Sequence, residues 1–261
     1  MIFDLFQNIG KKTIYFFFRL GEAFFLLIYS LFCIPNFFKS IKRVINQLYF
    51  VGFLSLIVII VSGCFIGMVL CIQGYNVLIK FGAEQELGQM IAVSVIRELG
   101  PVITSLLFAG RSGSSLTAEI GFMKMTEQLS SMSIMGVDPF KRIIGPRFWA
   151  VQISLPLLSL IFIQISIIGA FFIGVYFLGI DSGAFWSNMQ SVIIFQEDVF
   201  NSVIKTFIFG FVIAWISVFQ GIYCIPTSEG IGYATTNSVV YSSLSIFIID
   251  FFLTIFMYTD V

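Results

Sequence analysis

The sequence contains no histidine and few charges, with Asp, Glu, Lys and Arg together making up 11% of its 261 residues. Histidine is the commonest metal ligand and the commonest general base, so we predict no metal site and no catalytic residue. The formal net charge is zero, and no basic surface in the sequence suggests a nucleic-acid partner. The four cysteines lie in apolar segments without C-x-x-C spacing, which indicates packing side chains and not a disulfide or metal framework. They are Cys33, Cys64, Cys71 and Cys224.

Long polar stretches are also scarce, since 58% of the residues are apolar and the mean hydropathy is +1.01. Residues 49–79, 148–180 and 206–228 carry no charge, and each run exceeds the roughly 20 residues that a helix needs to cross a bilayer. Two further runs, 87–110 and 230–258, are interrupted by only a few charges. The sequence therefore predicts an all-α integral membrane protein that forms one membrane domain with five transmembrane helices. The predicted helices cover residues 49–79, 87–110, 148–180, 199–224 and 235–258.

The N-terminal region has a different character, because Arg19 and Glu22 divide its apolar stretch and leave only residues 23–34 uncharged before Pro35. Twelve helical residues reach about 18 Å, which is short of a hydrocarbon core of roughly 30 Å. We therefore predict an amphipathic helix over residues 3–34 that lies in the membrane interface. A signal anchor is the alternative, and a cleaved signal peptide is disfavoured because no small-residue cleavage site follows.

The distribution of Lys and Arg predicts the orientation. Basic residues cluster before the first helix and between the second and third helices, whereas the opposite side has only Lys80 and, just inside the membrane, Lys205. The positive-inside rule then places the N-terminus and the 111–147 segment in the cytoplasm. Five crossings leave the C-terminus outside, in the periplasm if the membrane is a bacterial inner membrane.

Three of the predicted helices carry charges inside the membrane. At about 1.5 Å per residue, Lys205 lies about 9 Å, Asp250 about 12 Å and Glu98 about 16 Å from the outer ends of their helices. Intramembrane charges are costly and usually have partners, so we predict that Lys205 pairs with Asp250 within reach of Glu98. Arg97 should point to a different environment, for which a lipid phosphate is one candidate. The alternative is a charge pair that only holds helices together.

Small residues recur along one face of the first helix at Gly63, Gly67, Cys71 and Gly74. Such a stripe allows another backbone to come close, either within the chain or at a subunit contact or lipid groove. If the stripe approaches a second subunit, the side chains next to it would line an apolar cavity for acyl chains. These candidate lipid-binding side chains are Leu70, Gln73, Val77 and Leu78. Prolines at 101 and 156 lie within predicted helices, where each should bend the helix or free a carbonyl.

The predicted cytoplasmic segment contains "MKMTEQLSSMSIMGVDPFKRIIGPRFWA" at 123–150. Its first part predicts a helix over 123–137 with an apolar stripe at Leu129, Met132 and Met135, ended by Gly136 and the turn at Asp138. A lone helix cannot bury that stripe by itself. It can pack back onto the membrane domain or dock into a groove on a partner protein.

Several of these motifs together resemble one family. The runs "AGRSGSSLTAEIG" at 109–121, "TEQLSSMSIMGVDP" at 126–139 and "PRFWA" at 146–150 are similar to the signature of the MlaE/YrbE permeases of Mce-associated lipid ABC transporters. The likeness extends to "QLYFVGFLS", "RELGPV" and "IPTSEGIGYATT" and thus to nearly the whole chain. Within the family it is greatest to the phospholipid permeases of Gram-negative bacteria, which support outer-membrane lipid asymmetry.

The resemblance implies a homodimer in the bacterial inner membrane, with a cytoplasmic ABC ATPase, a STAS-domain protein and a periplasmic hexamer of Mce-domain subunits. It also implies that the 123–137 helix is the coupling helix, with Glu127, Leu129, Met132, Met135 and Asp138 at the ATPase contact. ATP and magnesium would then bind the ATPase, and the chain itself would need no cofactor. The absence of a G-x-x-x-x-G-K-[ST] motif agrees with this expectation.

Other function classes fit the sequence less well. A permease for another lipid, such as a sterol or a fatty acid, is the nearest alternative. An intramembrane serine protease would need a histidine, and an aspartyl protease would need two intramembrane aspartates where only Asp250 qualifies. An ion channel would favour a ring of charges of one sign, whereas the charges here are of mixed sign.

Overall fold

A computed structural model describes residues 10, 14, 18, 21–22, 24–26 and 37–258. The described part of the chain contains helices and loops and no β-strand. Five helical segments are long and apolar enough to cross a membrane, which confirms the predicted all-α membrane fold. We call them spans 1 to 5, and they cover Lys42–Phe81, Glu84–Met125, Phe140–Phe177, Phe195–Tyr223 and Ser228–Met257.

The predicted interfacial helix over 3–34 falls largely outside the described residues, although the positions described within it are helical. Downstream of it, an amphipathic helix at Phe37–Leu48 continues through a π-helical turn at Tyr49–Phe53 into the helix Leu54–Leu78. Span 1 therefore begins with an amphipathic segment that continues without a break into its apolar part. We call the side of the membrane that carries the 126–139 connection the loop side.

Two π-helical turns interrupt span 2, at Val95–Leu99 and Ala109–Gly113, whereas the π-helical turns Phe140–Ile144 and Phe172–Phe177 form the two ends of span 3. Apart from a 3₁₀ turn at Glu84–Glu86, the remaining parts of these spans are α-helical. Their bounds are Leu87–Ser94, Gly100–Phe108, Ser114–Met125 and Gly145–Phe171. Span 2 thus continues well past residue 110, where the sequence predicted the transmembrane helix to end.

The small-residue stripe of span 1 packs against other helices of the same chain, with Gly63 and Gly67 facing span 3 and Gly74 facing the start of span 2. Gly63, Gly67, Cys71 and Gly74 are all buried. A Cβ atom added to Gly67 would overlap the backbone carbonyl of Ser166, so the two helix backbones touch directly. The suggestion that this stripe approaches a second subunit is therefore wrong, and the intrachain alternative is correct.

Two apolar cores hold the five spans together. One lies toward the loop side and includes Phe108, Phe148 and Phe209, which are completely buried. The other lies toward the opposite side and is closed by a short helix, Ser182–Val192, whose first turn is capped by the Asp181 carboxylate. Phe185 of this helix is completely buried in the second core. This short helix was not predicted from the sequence.

Spans 1 and 5 are the least covered of the five. Large apolar side chains remain exposed along span 5, among them Phe251 at 61% and Phe256 at 87%. Such a surface suits contact with lipid or with another membrane helix.

Candidate functional site

A completely buried lysine organises a charge cluster inside the membrane. The Lys205 ammonium group donates to Glu98 Oε1 at 3.1 Å, to Asp250 Oδ1 at 3.2 Å and to Thr254 Oγ1 at 2.7 Å. The Thr254 hydroxyl in turn donates to Glu98 Oε1 at 3.0 Å. The structure thus brings together the three charges that the sequence placed at similar depth. Thr254 was missed, although it lies one helical turn from Asp250 on the same face.

A proline in span 2 contributes to this cluster through the backbone. Pro101 has no N–H to donate to the Arg97 carbonyl four residues earlier. The Lys205 ammonium group donates to that carbonyl at 3.1 Å. The π-helical turn at Val95–Leu99 precedes Pro101 and carries both Arg97 and Glu98. A freed carbonyl was predicted for a proline within a span, and at Pro101 it serves the buried lysine.

Arg97 lies in a second ion pair next to the cluster. Its Nε donates to Asp198 Oδ1 at 2.8 Å, and the other oxygen of Asp198 accepts the backbone N–H of Ile194 at 3.0 Å. The Asp198 side chain is 4% exposed, whereas that of Arg97 is 30% exposed. Arg97 and Glu98 therefore have different partners, as predicted, but the Asp198 partner was not foreseen. Contact of Arg97 with a lipid phosphate stays a prediction.

The cluster is closed on the lysine side and open on the carboxylate side. The side chain of Lys205 is 0% exposed, that of Asp250 17% and that of Glu98 38%. An ion that reaches the surface of the protein at this depth can contact a carboxylate or the Arg97 guanidinium, but not the ammonium group. Together with Asp198, the site holds two cations and three carboxylates.

The four candidate lipid-binding side chains of span 1 divide into two pairs. Leu70 and Leu78 are half-buried and pack against the second core. Gln73 and Val77 are exposed, Val77 at 51%. Only the second pair is fully accessible to a ligand outside the bundle, and their contact with lipid stays a prediction.

The connection between spans 2 and 3 forms a shorter helix than the 123–137 prediction. Glu127 adopts a left-handed conformation with φ of 57°, so the chain turns there and a new helix covers Gln128–Ile134. The helix ends as predicted at Gly136, which has φ of 73°, while the Val137 N–H donates to the Met132 carbonyl at 2.9 Å.

The predicted turn and apolar stripe of this helix are only partly as expected. Asp138 forms the turn by accepting the Phe140 N–H at 2.9 Å. Leu129 and Met132 are half-buried, whereas Met135 is 69% exposed. The most exposed apolar side chain is Ile134, at 87%, which was not among the predicted contact residues. Its sequence signal was weak, because Ile134 lies outside the i, i+3, i+6 spacing.

Two basic residues fasten the ends of this connection to the membrane domain. The Lys124 ammonium group donates to the carbonyls of Ile222 at 2.7 Å and Cys224 at 2.8 Å, where span 4 ends. Arg147 of span 3 pairs with Glu119 of span 2 at 2.9 Å. The short helix is therefore held at a fixed place relative to spans 2, 3 and 4 while its apolar tip stays exposed.

Comparison with known proteins identifies the family. Residues 44–256 match the family described as Permease MlaE. The intermembrane phospholipid transport system permease protein MlaE of Haemophilus influenzae is 51% identical over 258 residues, which cover 99% of both chains. A probable ABC transporter permease protein of Rickettsia conorii is 36% identical, with 97% of this chain and 98% of the relative covered.

A more distant relative is the chloroplastic protein TRIGALACTOSYLDIACYLGLYCEROL 1 of Arabidopsis thaliana, 32% identical over 83% of this chain and 62% of its own. The family match reaches into all five spans and includes every member of the charge cluster. The chain is therefore a multi-pass membrane protein that belongs to the MlaE permease family.

Proposed function

We propose that this chain is the permease subunit of an ABC transporter that moves phospholipids between the bacterial inner membrane and a periplasmic Mce-domain partner. The observation that carries the proposal is 51% identity, over nearly the full length, to a permease of an intermembrane phospholipid transport system. Transport by such a system would support the lipid asymmetry of the outer membrane. The positive-inside rule places the loop side in the cytoplasm and the charge cluster in the outer half of the membrane.

The charge cluster supports a substrate with a charged headgroup. Arg97 offers a partly exposed guanidinium, which is suited to a phosphate, and Glu98 offers a partly exposed carboxylate. A sterol carries no anionic group for Arg97 to bind, and a fatty acid offers a carboxylate in place of the phosphate. The exposed Gln73 and Val77 of span 1, with the half-buried Leu70 and Leu78 beside them, are the proposed contacts for the lipid.

The remaining subunits follow from the same assignment. The exposed apolar tip of the Gln128–Ile134 helix suits a groove on a cytoplasmic ATPase. ATP and magnesium would bind that ATPase, because this sequence has no phosphate-binding loop of the P-loop type. The exposed apolar faces of spans 1 and 5 suit a homodimer. A STAS-domain protein and a periplasmic Mce-domain hexamer complete the proposed assembly.

The test replaces the exposed tip of the short helix by the double substitution Ile134→Asp/Met135→Asp, in cells that also express the partner subunits. Two carboxylates there should prevent burial in an apolar groove, because a buried charge without a partner is strongly unfavourable. We expect co-purification of the ATPase and transfer of phospholipid to fall at least about tenfold, while the permease stays folded because both side chains are exposed.

The matched control is Ile134→Leu/Met135→Leu, which keeps the tip apolar and should preserve both activities. The purified permease alone should not hydrolyse ATP. Unchanged ATPase binding and unchanged lipid transfer in the double aspartate variant would contradict the proposed coupling contact. Lipid transfer that continues without any ATPase would contradict the transporter class itself.

A further inference from the structure

A small polar cavity of about 70 Å³ lies on the loop side, between the start of span 1 and the end of span 2. Its polar lining comes from Gln47, Arg111, Ser115 and Glu119, and Phe50 forms part of its wall. None of these residues belongs to the intramembrane charge cluster. At about 1.5 Å per residue along span 2, Arg111 lies about 20 Å from Glu98, so the two sites are separate.

Arg111 is held by one end of its side chain. Its Nη1 donates to the Phe50 carbonyl at 3.3 Å and to Ser55 Oγ at 3.0 Å, with a longer contact to Ser112 Oγ at 3.5 Å. Its Nε and Nη2 donate to no partner within the described residues. The side chains of Gln47 and Ser115 also donate no hydrogen bond to another group in the described part of the chain. Several hydrogen-bond donors thus line the cavity with capacity for an acceptor.

The charge of the cavity is positive. Glu119 also lines it, but its carboxylate accepts from Arg147 Nη2 at 2.9 Å and Nε at 3.2 Å. That pair is electrically balanced, whereas no carboxylate among the described residues lies within ion-pair distance of Arg111. A guanidinium with an unused Nε/Nη2 edge favours an oxyanion, and a phosphate most of all, because its oxygens match the two parallel donors of that edge.

The depth of Arg111 indicates where such a phosphate would come from. Arg111 lies about 36 Å along the helix from Leu87, beyond a hydrocarbon core of roughly 30 Å and therefore near the level of lipid headgroups. Tyr49 and Phe53 stack beside the cavity with ring centroids 5.1 Å apart, as expected for an aromatic belt at the membrane interface.

We infer that Arg111, Gln47 and Ser115 form a binding site for a phosphate group, supplied by a phospholipid headgroup of the loop-side leaflet or by free phosphate. Arg111 provides the charge and two parallel donors, and the Gln47 amide and the Ser115 hydroxyl complete the set. This site does not depend on the proposed transport function, because it rests on the cavity and its donors alone.

Photolabelling in cells tests the lipid source. Benzoylphenylalanine, a photocrosslinker, replaces either Phe50 or Phe53. Phe50 lines the cavity and is 56% exposed, whereas Phe53 does not line it and is 58% exposed. Cells are grown with radioactive phosphate, so label that appears on the protein band only after irradiation reports a crosslinked phospholipid. We expect Arg111→Gln to weaken lipid binding about tenfold or more and thus to reduce labelling at Phe50, while labelling at Phe53 stays unchanged. Lys141→Gln, which removes an exposed charge on the same side, should change neither.

A second variant separates binding from folding. Ser115→Leu places a larger apolar side chain in the lining of the cavity and removes none of the groups that bond Arg111 to Phe50 and Ser55, so it should also reduce labelling at Phe50. If Arg111→Gln lowers labelling at both Phe50 and Phe53, the variant is misfolded. The effect of Ser115→Leu on labelling at Phe50 then tests whether lipid binds in the cavity. Labelling at Phe50 that neither variant changes excludes the lipid source.

Calorimetric titration of the purified chain with inorganic phosphate tests the other source. Heat of binding that disappears in the Ser115→Leu variant, without Arg111-dependent labelling, assigns the site to free phosphate. If neither lipid labelling nor phosphate binding depends on Arg111 or Ser115, the inference is wrong.

Discussion

Replacing Lys205 by methionine should destabilise the protein more than any other single change in the charge cluster. Methionine fits a similar volume but removes the cation that lies between Glu98 and Asp250. The two carboxylates are then left near each other without a counter-charge. Breaking a buried ion pair from one side costs about 3 to 5 kcal/mol. We expect the lower end, about 3 kcal/mol, because the Glu98 side chain is 38% exposed and can be partly hydrated.

The other positions of the cluster predict a graded series. Asp250→Asn leaves Lys205 paired with Glu98 and bonded to Thr254, so the loss should be near that of one hydrogen bond, about 1 kcal/mol. The triple variant Lys205→Met/Glu98→Gln/Asp250→Asn has no unpaired charge at the cluster and should recover most of the stability of the wild-type protein. We therefore expect both the Asp250→Asn variant and the triple variant to be more stable than the Lys205→Met variant.

Equilibrium unfolding in detergent micelles, followed by the loss of helical circular dichroism, measures these differences. A change of 3 kcal/mol corresponds to a factor of about 150 in the folding equilibrium. If Lys205→Met unfolds at the same denaturant concentration as the wild-type protein, the reasoning from the buried lysine is wrong. Lipid transfer by the triple variant then separates two roles: a folded but inactive protein assigns the charges to transport, and an active one assigns them to helix packing alone.

Two further changes test the bundle and its surface. Gly67→Ala places a methyl group against the Ser166 carbonyl and should cost about 3 kcal/mol of unfolding free energy, whereas Gly110→Ala, with open space around it, should have little effect in the same measurement. Equal effects of the two would contradict the backbone contact. Photocrosslinkers at Gln73 and Val77 should capture phospholipid more strongly than one at Ile57, which is 72% exposed. Equal capture would indicate ordinary bilayer contact.

The depth of the intramembrane charges could be predicted because residue counting fixes height in a helix of known rise. Lys205, Asp250 and Glu98 therefore meet as predicted. Asp198 was missed because it lies in the first turn of span 4, before the point where the predicted helix begins. A carboxylate at a helix end is usually assumed to face water, yet this one is 3% exposed.

Other features depend on contacts that local sequence does not specify. The spacing of Gly63 and Gly67 predicts that some backbone comes close but not which helix supplies it, and only the structure identifies span 3. The left-handed turn occurs at Glu127, whereas glycine and asparagine are the residues that usually adopt this conformation. The sequence therefore contained no sign of the turn, and the helix was predicted too long. The Ser182–Val192 helix escaped prediction because it is short and gains its stability from burying Phe185 in a core built by other segments.

The glycine contact between spans 1 and 3 also limits how the bundle can move. Helices separated by side chains can shear past one another as those side chains change rotamer. Two backbones in direct contact have no side chains between them that could adjust in this way. At Gly169 the contact is reciprocal, since a Cβ there would lie 2.6 Å from the Cys64 carbonyl. Spans 1 and 3 must therefore turn or tilt as one rigid body. Any relative movement of helices within the bundle is then expected at contacts other than the one between these two spans.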